Sequence, residues 1–139
     1  MNGAPAPGGF SGGISNLAVY PYATPPTAPG ASGPIILAAA STNCADNDWN
    51  LAVNGNKIQI AGCNSTDAQK FQIGNDGTIR IQGKCLDATN AGISNGTLIM
   101  LMTCNEGGNQ QFHPRADGSI YNPVSGRCID LGNFNTTPG

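Results

Sequence analysis

The chain has 139 residues, which suits one domain with a modest core and not a multidomain enzyme. Only 10% of the residues are charged, the formal net charge is -2, and basic residues do not cluster, so nucleic acid and anionic membrane surfaces are not expected partners. The 20 Gly and 10 Pro, without a long helical apolar period, indicate many short strands joined by turns. No stretch approaches the roughly 18 apolar residues that a membrane span requires.

The first part of the chain is dominated by Gly, Pro, Ala and Ser. Residues 1–33 are therefore predicted to form a linker or stalk. Residues 1–10 lack a charged segment followed by an apolar one, so no signal peptide is predicted. One stretch, residues 14–20 (ISNLAVY), has the apolar and β-branched content of a short strand, and we expect it to pack on the domain.

The cysteines follow a fixed spacing. Cys44 and Cys63 are nineteen positions apart, Cys85 and Cys104 repeat that spacing forty-one positions later, and Cys128 begins a third unit. A disulfide closing a loop of about 20 residues would stabilise each unit by roughly 3 kcal/mol. A metal or redox site would need closely spaced ligands, whereas the chain has one His and no CxxC motif. We predict two disulfides in an oxidising compartment, no metal or cofactor, and a Cys128 that is unpaired or bonded to another chain.

Three short motifs recur with nearly the same period. They are Gln-x-Phe at 69–71 and 110–112, Asp-Gly-x-Ile at 76–79 and 117–120, and Cys-x-Asp at 44–46, 85–87 and 128–130. A fixed period of about 40 residues indicates units that bury their apolar faces only against one another. The predicted domain covers residues 34–139, with repeats at 35–75, 76–116 and 117–139.

Within the units, apolar and polar residues alternate. Residues 57–60 and 78–82 show this pattern, which is typical of strands with one buried face. The Asp-Gly pairs favour hairpins, because type I′ turns need positive φ at both central residues. Each unit is predicted to contain about four strands. Because the sequence given stops at Gly139, we expect the third unit to be incomplete and to expose unpaired strand edges.

In these motifs the chain resembles the ricin B-type lectin family, also called carbohydrate-binding module family 13, over roughly residues 35–139. The matching elements are Gly-Lys-Cys-Leu-Asp at 83–87, Asn-Gly-Thr at 95–97, Cys-Asn and Gly-Gly within 104–108, and Asn-Gln-Gln-Phe at 109–112. The resemblance implies an all-β fold, a β-trefoil of three units around a pseudo-threefold axis. It also implies a secreted protein that binds sugars in shallow pockets, up to one in each unit.

A sugar pocket needs a carboxylate and an amide for the hydroxyls and a flat ring for the apolar face of the sugar. In the second unit the resemblance assigns the hydroxyl-accepting carboxylate to Asp87, the sugar-binding amide to Asn109 and the brace of the carboxylate to Gln110. Met100 stands where the family has a polar side chain, and Met102 where it has the stacking aromatic. Met102 can contact a sugar ring, but without a flat, rigid surface. This unit is the most complete candidate.

The first unit keeps Asp46 and Gln59 but has Ala61 at the aromatic position and Ala68 at the amide position. Trp49, the single tryptophan, has two interpretations. It either supplies a stacking face from a different loop or is a partly buried side chain that closes the end of a strand.

The third unit offers Asp130 as its carboxylate. Three Asn-x-Ser/Thr sequons, at Asn64, Asn95 and Asn135, are candidate N-glycosylation sites and suit a secreted protein.

Catalysis is not predicted. A glycosidase needs two carboxylates about 5 to 10 Å apart, and the carboxylates here are copies that a threefold fold would hold apart. The leading hypothesis is a carbohydrate-binding module of a secreted protein, free-standing or joined by the Pro-rich segment to a glycoside hydrolase. The expected partners are glycans of galactose type or xylan type.

Two alternatives remain. The substitutions at the stacking positions favour a structural trefoil whose sugar sites have decayed. In the other alternative, a strand such as residues 14–20 from a neighbouring chain fills the open third unit by β-augmentation, and Cys128 bridges the two chains. Truncation of a longer sequence is the simpler explanation of the open unit.

Overall fold

The computed structural model describes residues 13–15, 30–37 and 40–130, and these residues form short strands joined by tight turns. The strands are β1 (Gly13–Ser15), β2 (Ser32–Gly33), β3 (Ile36–Leu37), β4 (Ala40–Asn47), β5 (Ile58–Gly62), β6 (Phe71–Ile73), β7 (Ile79–Ile81), β8 (Lys84–Ala88), β9 (Ile99–Met102), β10 (His113–Pro114), β11 (Ile120–Asn122) and β12 (Arg127–Asp130). Single-turn 3-10 helices lie at Asp48–Asn50, Asp67–Gln69, Thr89–Ala91 and Gly108–Gln110. The all-β prediction is confirmed.

The first two units repeat one arrangement of strands. The hairpin β4–β5 of the first unit places Ala45 opposite Ile60, and the hairpin β8–β9 of the second unit places Leu86 opposite Leu101. The last strand of each unit pairs with the first strand of the next, β6 with β7 and β10 with β11. The predicted period of the sequence is therefore a period of the fold.

The Asp-Gly pairs form hairpins as predicted, but not through type I′ turns. Only the glycines have positive φ, +84° at Gly77 and +87° at Gly118. A β-carbon at Gly77 would also meet the end of the Gln111 side chain, but that side chain can move, so the positive φ is the main reason for glycine there. In the tight turn that joins β7 to β8, by contrast, both Gln82 and Gly83 have positive φ. The sequence did not suggest Gln82–Gly83 for a turn with two positive φ angles, because Gln rarely adopts the left-handed conformation.

The third unit has the hairpin β11–β12, and β12 has a second neighbour. This neighbour is β1, which runs antiparallel to β12 with Ile14 opposite Ile129 and Ser15 opposite Cys128. Two residues of the strand expected at 14–20 thus lie in a strand, while residues 16–20 lie outside the described residues. Within the predicted linker, β2 also pairs with the domain, through β6.

The core lies where the three units meet. Phe71 and Phe112 of the two Gln-x-Phe motifs are fully buried. An apolar cavity at the centre is lined by residues of all three units, which are Ile35, Ala45, Ile58, Phe71, Leu86, Ile99, Ile120 and Ile129. Small units thus share one core, because no unit could bury its apolar face alone.

The predicted disulfides Cys44–Cys63 and Cys85–Cys104 are both present, each with Cα atoms 5.1 Å apart. Cys128 is buried and forms no disulfide. Its Sγ atom accepts a hydrogen bond from Nη2 of Arg115 at 3.1 Å. The described part of the chain contains no helix with the length and apolar character that crossing a membrane requires.

Candidate functional site

Two carboxylates occupy matching places in the first two units. Asp46 lies in β4 opposite Gln59, and Asp87 lies in β8 opposite Met100. Each follows a disulfide-bonded cysteine by two residues, so the crosslink anchors the strand that carries it. The two residues are only 6% and 4% exposed. Buried carboxylates need hydrogen-bond donors. In each unit the second 3-10 turn after the carboxylate provides one, Asp67–Gln69 for Asp46 and Gly108–Gln110 for Asp87.

In the second unit, the donor is Gln110 at the end of the turn Gly108–Gln110. Its Nε2 donates to Oδ2 of Asp87 at 2.7 Å and to the carbonyl of Thr103 at 3.1 Å. Its Oε1 accepts from the backbone N–H of Asn105 at 2.9 Å. Because all these bonds are made by a fully buried side chain, the orientation of the carboxylate is fixed.

The first unit has the same brace in Gln69. Its Nε2 donates to Oδ2 of Asp46 at 2.8 Å and to the carbonyl of Gly62 at 2.9 Å, and its Oε1 accepts from the N–H of Asn64 at 2.9 Å. Sequence reasoning did not place Gln69 in the site. The sequence could have indicated this role, because Gln69 lies one period before Gln110.

The surroundings of Asp87 give it a distinct electrostatic character. Burial raises the pKa of its carboxyl, while hydrogen bonds from Gln110 and Asn109 act in the opposite direction. Asn109 is half-buried and donates from Nδ2 to the carbonyl of Ala88 at 3.2 Å. Met100 and Met102 are half-buried on the paired strand β9. The structure thus brings together the predicted carboxylate, its brace, an amide and two thioethers.

In the first unit the second donor to the carboxylate comes from a strand. Nε2 of Gln59 lies 3.3 Å from Oδ1 of Asp46. Ala68, at the position of Asn109, is buried, and Ala61 on β5 offers no ring. This unit therefore has a braced carboxylate without the neighbouring amide of the second unit.

Trp49 lies in the turn Asp48–Asn50 that directly follows β4, and its side chain is 83% exposed. The interpretation of Trp49 as a partly buried residue that closes a strand is therefore wrong. Its φ of +55° lies in the left-handed region, which aromatic residues seldom adopt. The same conformation recurs one period later at Asn90 and Ala91, so it belongs to the repeated loop, and in the first unit it holds an exposed ring.

The conformation of this loop is held by amides that come partly from the neighbouring unit. The buried Asn47 donates from Nδ2 to Oε1 of Gln82 at 2.7 Å and accepts at Oδ1 from Asn56 at 2.6 Å. Gln82 in turn donates from Nε2 to Oδ1 of Asn50 at 2.6 Å. Sequence reasoning missed this network because its members are up to 35 residues apart.

The remaining predicted residues are only partly described. Asp130 is the last residue of β12 and has Gly13 opposite it, but only its backbone is described. Asn64 and Asn95 are exposed, and Asn135 lies outside the described residues. Within the described ranges, no three His, Cys, Asp or Glu side chains lie close enough together to hold a metal ion.

Comparisons with known proteins agree with the fold. The agglutinin from Abrus precatorius superposes with a TM-score of 0.71 at 24% identity, covering 84% of this chain and 44% of that one. The designed threefold symmetric protein ThreeFoil superposes with a TM-score of 0.68 at 22% identity, covering 78% and 84%. These likenesses confirm the predicted β-trefoil fold.

Curated relatives match shorter stretches. Nigrin b of Sambucus nigra is 32% identical over 85 residues, and beta-galactoside-specific lectin 2 of Viscum album is 39% identical over 80 residues. These matches cover 60% and 55% of this chain, but only 15% and 14% of the relatives. Serine protease 1 of Rarobacter faecitabidus is 48% identical over 46 residues, which are 33% of this chain and 9% of that protein. Because the match covers so little of that protein, it is no evidence of protease activity in this chain.

The profile of the ricin-type beta-trefoil lectin domain matches residues 31–138. This range holds both disulfides and both braced carboxylates. The chain therefore belongs to the ricin-type beta-trefoil lectin domain family.

Proposed function

We propose that this domain binds galactose-type glycans through the pocket around Asp87, with a second site around Asp46 and Trp49. The observation that carries the proposal is the hydrogen bond of 2.7 Å from Nε2 of Gln110 to Oδ2 of Asp87, which is donated by a fully buried side chain. A carboxylate that is held this firmly before ligand arrives presents its remaining acceptor positions to sugar hydroxyls without a cost of ordering.

The pocket of the second unit has the chemistry that a sugar requires. A carboxylate accepts up to about four hydrogen bonds, and the amide oxygen of Asn109 adds further acceptor capacity. Hydroxyl donors to an ionised carboxylate make charge-assisted bonds, which are roughly twice as strong as neutral ones. Met102 offers a polarisable contact for the apolar face of the ring. The proposed pocket therefore selects for hydroxyl pattern more than for ring stacking.

The ligand class is supported by the relatives. One curated relative is named a beta-galactoside-specific lectin. A non-toxic homologue of type II RIPs from Momordica charantia, solved in complex with alpha-methyl-D-galactoside, superposes with a TM-score of 0.61 at 17% identity, covering 76% of this chain and 44% of that one. We therefore propose galactosides as ligands, with xylan-type ligands as the competing class.

The two disulfides support a secreted, oxidised location. The exposed sequons at Asn64 and Asn95 then become candidate sites of glycosylation. Asp46 and Asp87 lie in different units, each with its own glutamine brace, which supports a role as a non-catalytic module, alone or joined to a secreted enzyme.

Calorimetry with methyl galactoside, guided by a glycan array, tests the proposal. We expect Asp87→Asn, which keeps the size of the side chain, to weaken binding at the second unit by roughly tenfold to a hundredfold, as loss of a charged acceptor implies. Asp67→Asn is the matched control, because Asp67 is exposed and pairs only with Lys70. Burial raises the pKa of Asp87, so its carboxylate should take up a proton at a higher pH than an ordinary aspartate. On acidification, sugar binding should therefore begin to weaken at that higher pH.

A second candidate is a structural trefoil with decayed sugar sites. It is favoured by Ala61 and Met102, which leave both strand positions without a flat ring. A folded protein that binds no glycan on the array would support this candidate over the lectin. Glycan binding that is the same in Asp87→Asn would instead count against the pocket around Asp87.

A further inference from the structure

We propose that β1, which belongs to the N-terminal segment of the same chain, is the third strand of the third unit. The strand that pairs with β12 would thus come from the same chain and not from a neighbouring chain. Three observations carry this inference, and none of them depends on sugar binding.

The first observation is the register. In each unit the residue that follows the leading cysteine lies opposite an aliphatic residue of the next strand. These pairs are Ala45 with Ile60, Leu86 with Leu101, and Ile129 with Ile14. The cysteines themselves lie opposite Ala61, Met102 and Ser15. A slip of one residue would reverse the faces of a strand, so this agreement places β1 as the equivalent of β5 and β9.

The second observation is that the third strand of a unit has a bonded neighbour on each side. In the second unit, β9 lies between β8 and a loop of the first unit, residues 54–57. The N–H of Gly55 donates to the carbonyl of Leu101 at 2.7 Å, and the N–H of Leu101 donates to the carbonyl of Asn56 at 2.8 Å. One period later, Asn95–Gly96 repeats Asn54–Gly55, with φ of +90° at Gly96 and +85° at Gly55. This repeated loop would flank the third strand of the third unit, which is the position of β1.

The third observation concerns Cys128, which forms no disulfide in the structure. Cys63 lies two residues beyond Ala61, the residue opposite Cys44, and Cys104 lies two residues beyond Met102. Two residues beyond Ser15, the residue opposite Cys128, the sequence has Leu17. The sequence thus has no cysteine at the matching position after β1, and the buried thiol of Cys128 accepts a hydrogen bond from Arg115.

In the structure, β1 and β12 belong to the same chain. Fourteen residues separate Ser15 from Gly30, where the description of the chain resumes. Such a segment spans up to about 46 Å when fully extended. The predicted boundary between linker and domain at residue 33 would then move, because the domain would include residues from about 13 onward.

An introduced disulfide tests the proposal in the full chain. Leu17 follows Ser15 by two positions, as Cys63 follows Ala61 and Cys104 follows Met102, so after mild oxidation we expect the thiol of Leu17→Cys to bond to Cys128 within one molecule. Peptide mapping would identify the bond, and light scattering would show a monomer. Asn16→Cys is the matched control, since adjacent strand residues point to opposite faces; it should form at least about tenfold less of the bond under the same conditions.

Three outcomes would overturn the proposal. Leu17→Cys could leave both thiols free in a folded protein, or Asn16→Cys could form the bond equally well, which would show that β1 does not hold this register. A disulfide-linked dimer would show that a second copy donates the strand. Circular dichroism of both variants before oxidation confirms that each is folded.

Discussion

Asp46 and Asp87 show how the same residue acquires different surroundings in two copies of one unit. Both carboxylates are braced by a buried glutamine through Oδ2. Asp87 has Asn109 beside it, whereas Asp46 has Gln59 from the paired strand and Ala68 in place of the amide. The two sites therefore differ in the hydrogen-bond acceptors and donors that they can offer to a ligand. We therefore expect the two sites to differ in affinity and the second unit to bind more tightly.

Trp49 permits a direct optical test of the first site. As the only tryptophan, and one that is 83% exposed, it should emit as a solvent-exposed indole. Stacking of a galactoside on its ring removes water, so we expect a blue shift of the emission on titration. Fluorescence titration measures the shift. Asp87→Asn should keep the shift, because it leaves the first unit intact, and unchanged emission at sugar concentrations where calorimetry detects binding would remove Trp49 from the site.

Among the elements, the two Asp-Gly hairpins depend on an aspartate that caps its own turn. Oδ1 of Asp76 accepts from Oγ1 of Thr78 at 2.6 Å, and Oδ1 of Asp117 accepts from Oγ of Ser119 at 2.6 Å. The hydrogen bond from Thr78 is the main cause that lowers the pKa of Asp76 to about 2, and Arg80 adds to it. The bond from Ser119 likewise lowers the pKa of Asp117.

These hairpins should therefore make stability sensitive to acid. The folded-state pKa of Asp76 lies below its ordinary value of 3.8. Its ionised form thus stabilises the folded chain above that pH, and this stabilisation is lost as the pH falls toward about 2. We expect Asp76→Asn to be less stable than the wild type at neutral pH and to lose less stability on acidification. Urea unfolding at several pH values measures both, with Asp67→Asn as control; parallel curves for wild type and Asp76→Asn would contradict the assignment.

At the scale of the whole molecule, three small units share one core and are held by different means. The first two units are crosslinked by disulfides, and the third has a strand from the N-terminal segment without a crosslink. The disulfides constrain the unfolded chain, whereas pairing of β1 acts only in the folded state. The three copies of the unit are therefore expected to differ in local stability.

Removal of one crosslink should have a measurable cost. The double variant Cys85→Ala/Cys104→Ala opens a loop with a sequence separation of 19, and we expect it to lower the free energy of unfolding by about 3 kcal/mol. Denaturant unfolding under non-reducing conditions measures this cost. Cys128→Ala is the control, because it removes a buried cysteine without opening a loop. An equal loss in both variants would mean that packing of the sulfur, not the crosslink, is responsible.

Much of the fold and part of the site followed from local spacing. The cysteine pairs, the Gln-x-Phe motifs and the hairpin positions are separated by a few residues or by one fixed period, so the sequence displays them directly. The roles of Asp87 and Gln110 came from the resemblance to the family, and the one-period spacing of Gln69 and Gln110 could have extended the bracing role to Gln69. The type of turn was not predictable, because the left-handed conformation of Gln82 depends on its bonds to Asn47 and Asn50 in another unit.

By itself the sequence determined that the chain is an all-β repeat with two disulfides and a carboxylate in each unit, because repetition and alternation are properties of neighbouring residues. Only the tertiary structure decided that Trp49 is exposed, that its loop is fixed by Gln82, and that β12 pairs with Gly13–Ser15. These features depend on hydrogen bonds between residues far apart in the chain. Such bonds form only once the three units have closed around their common core.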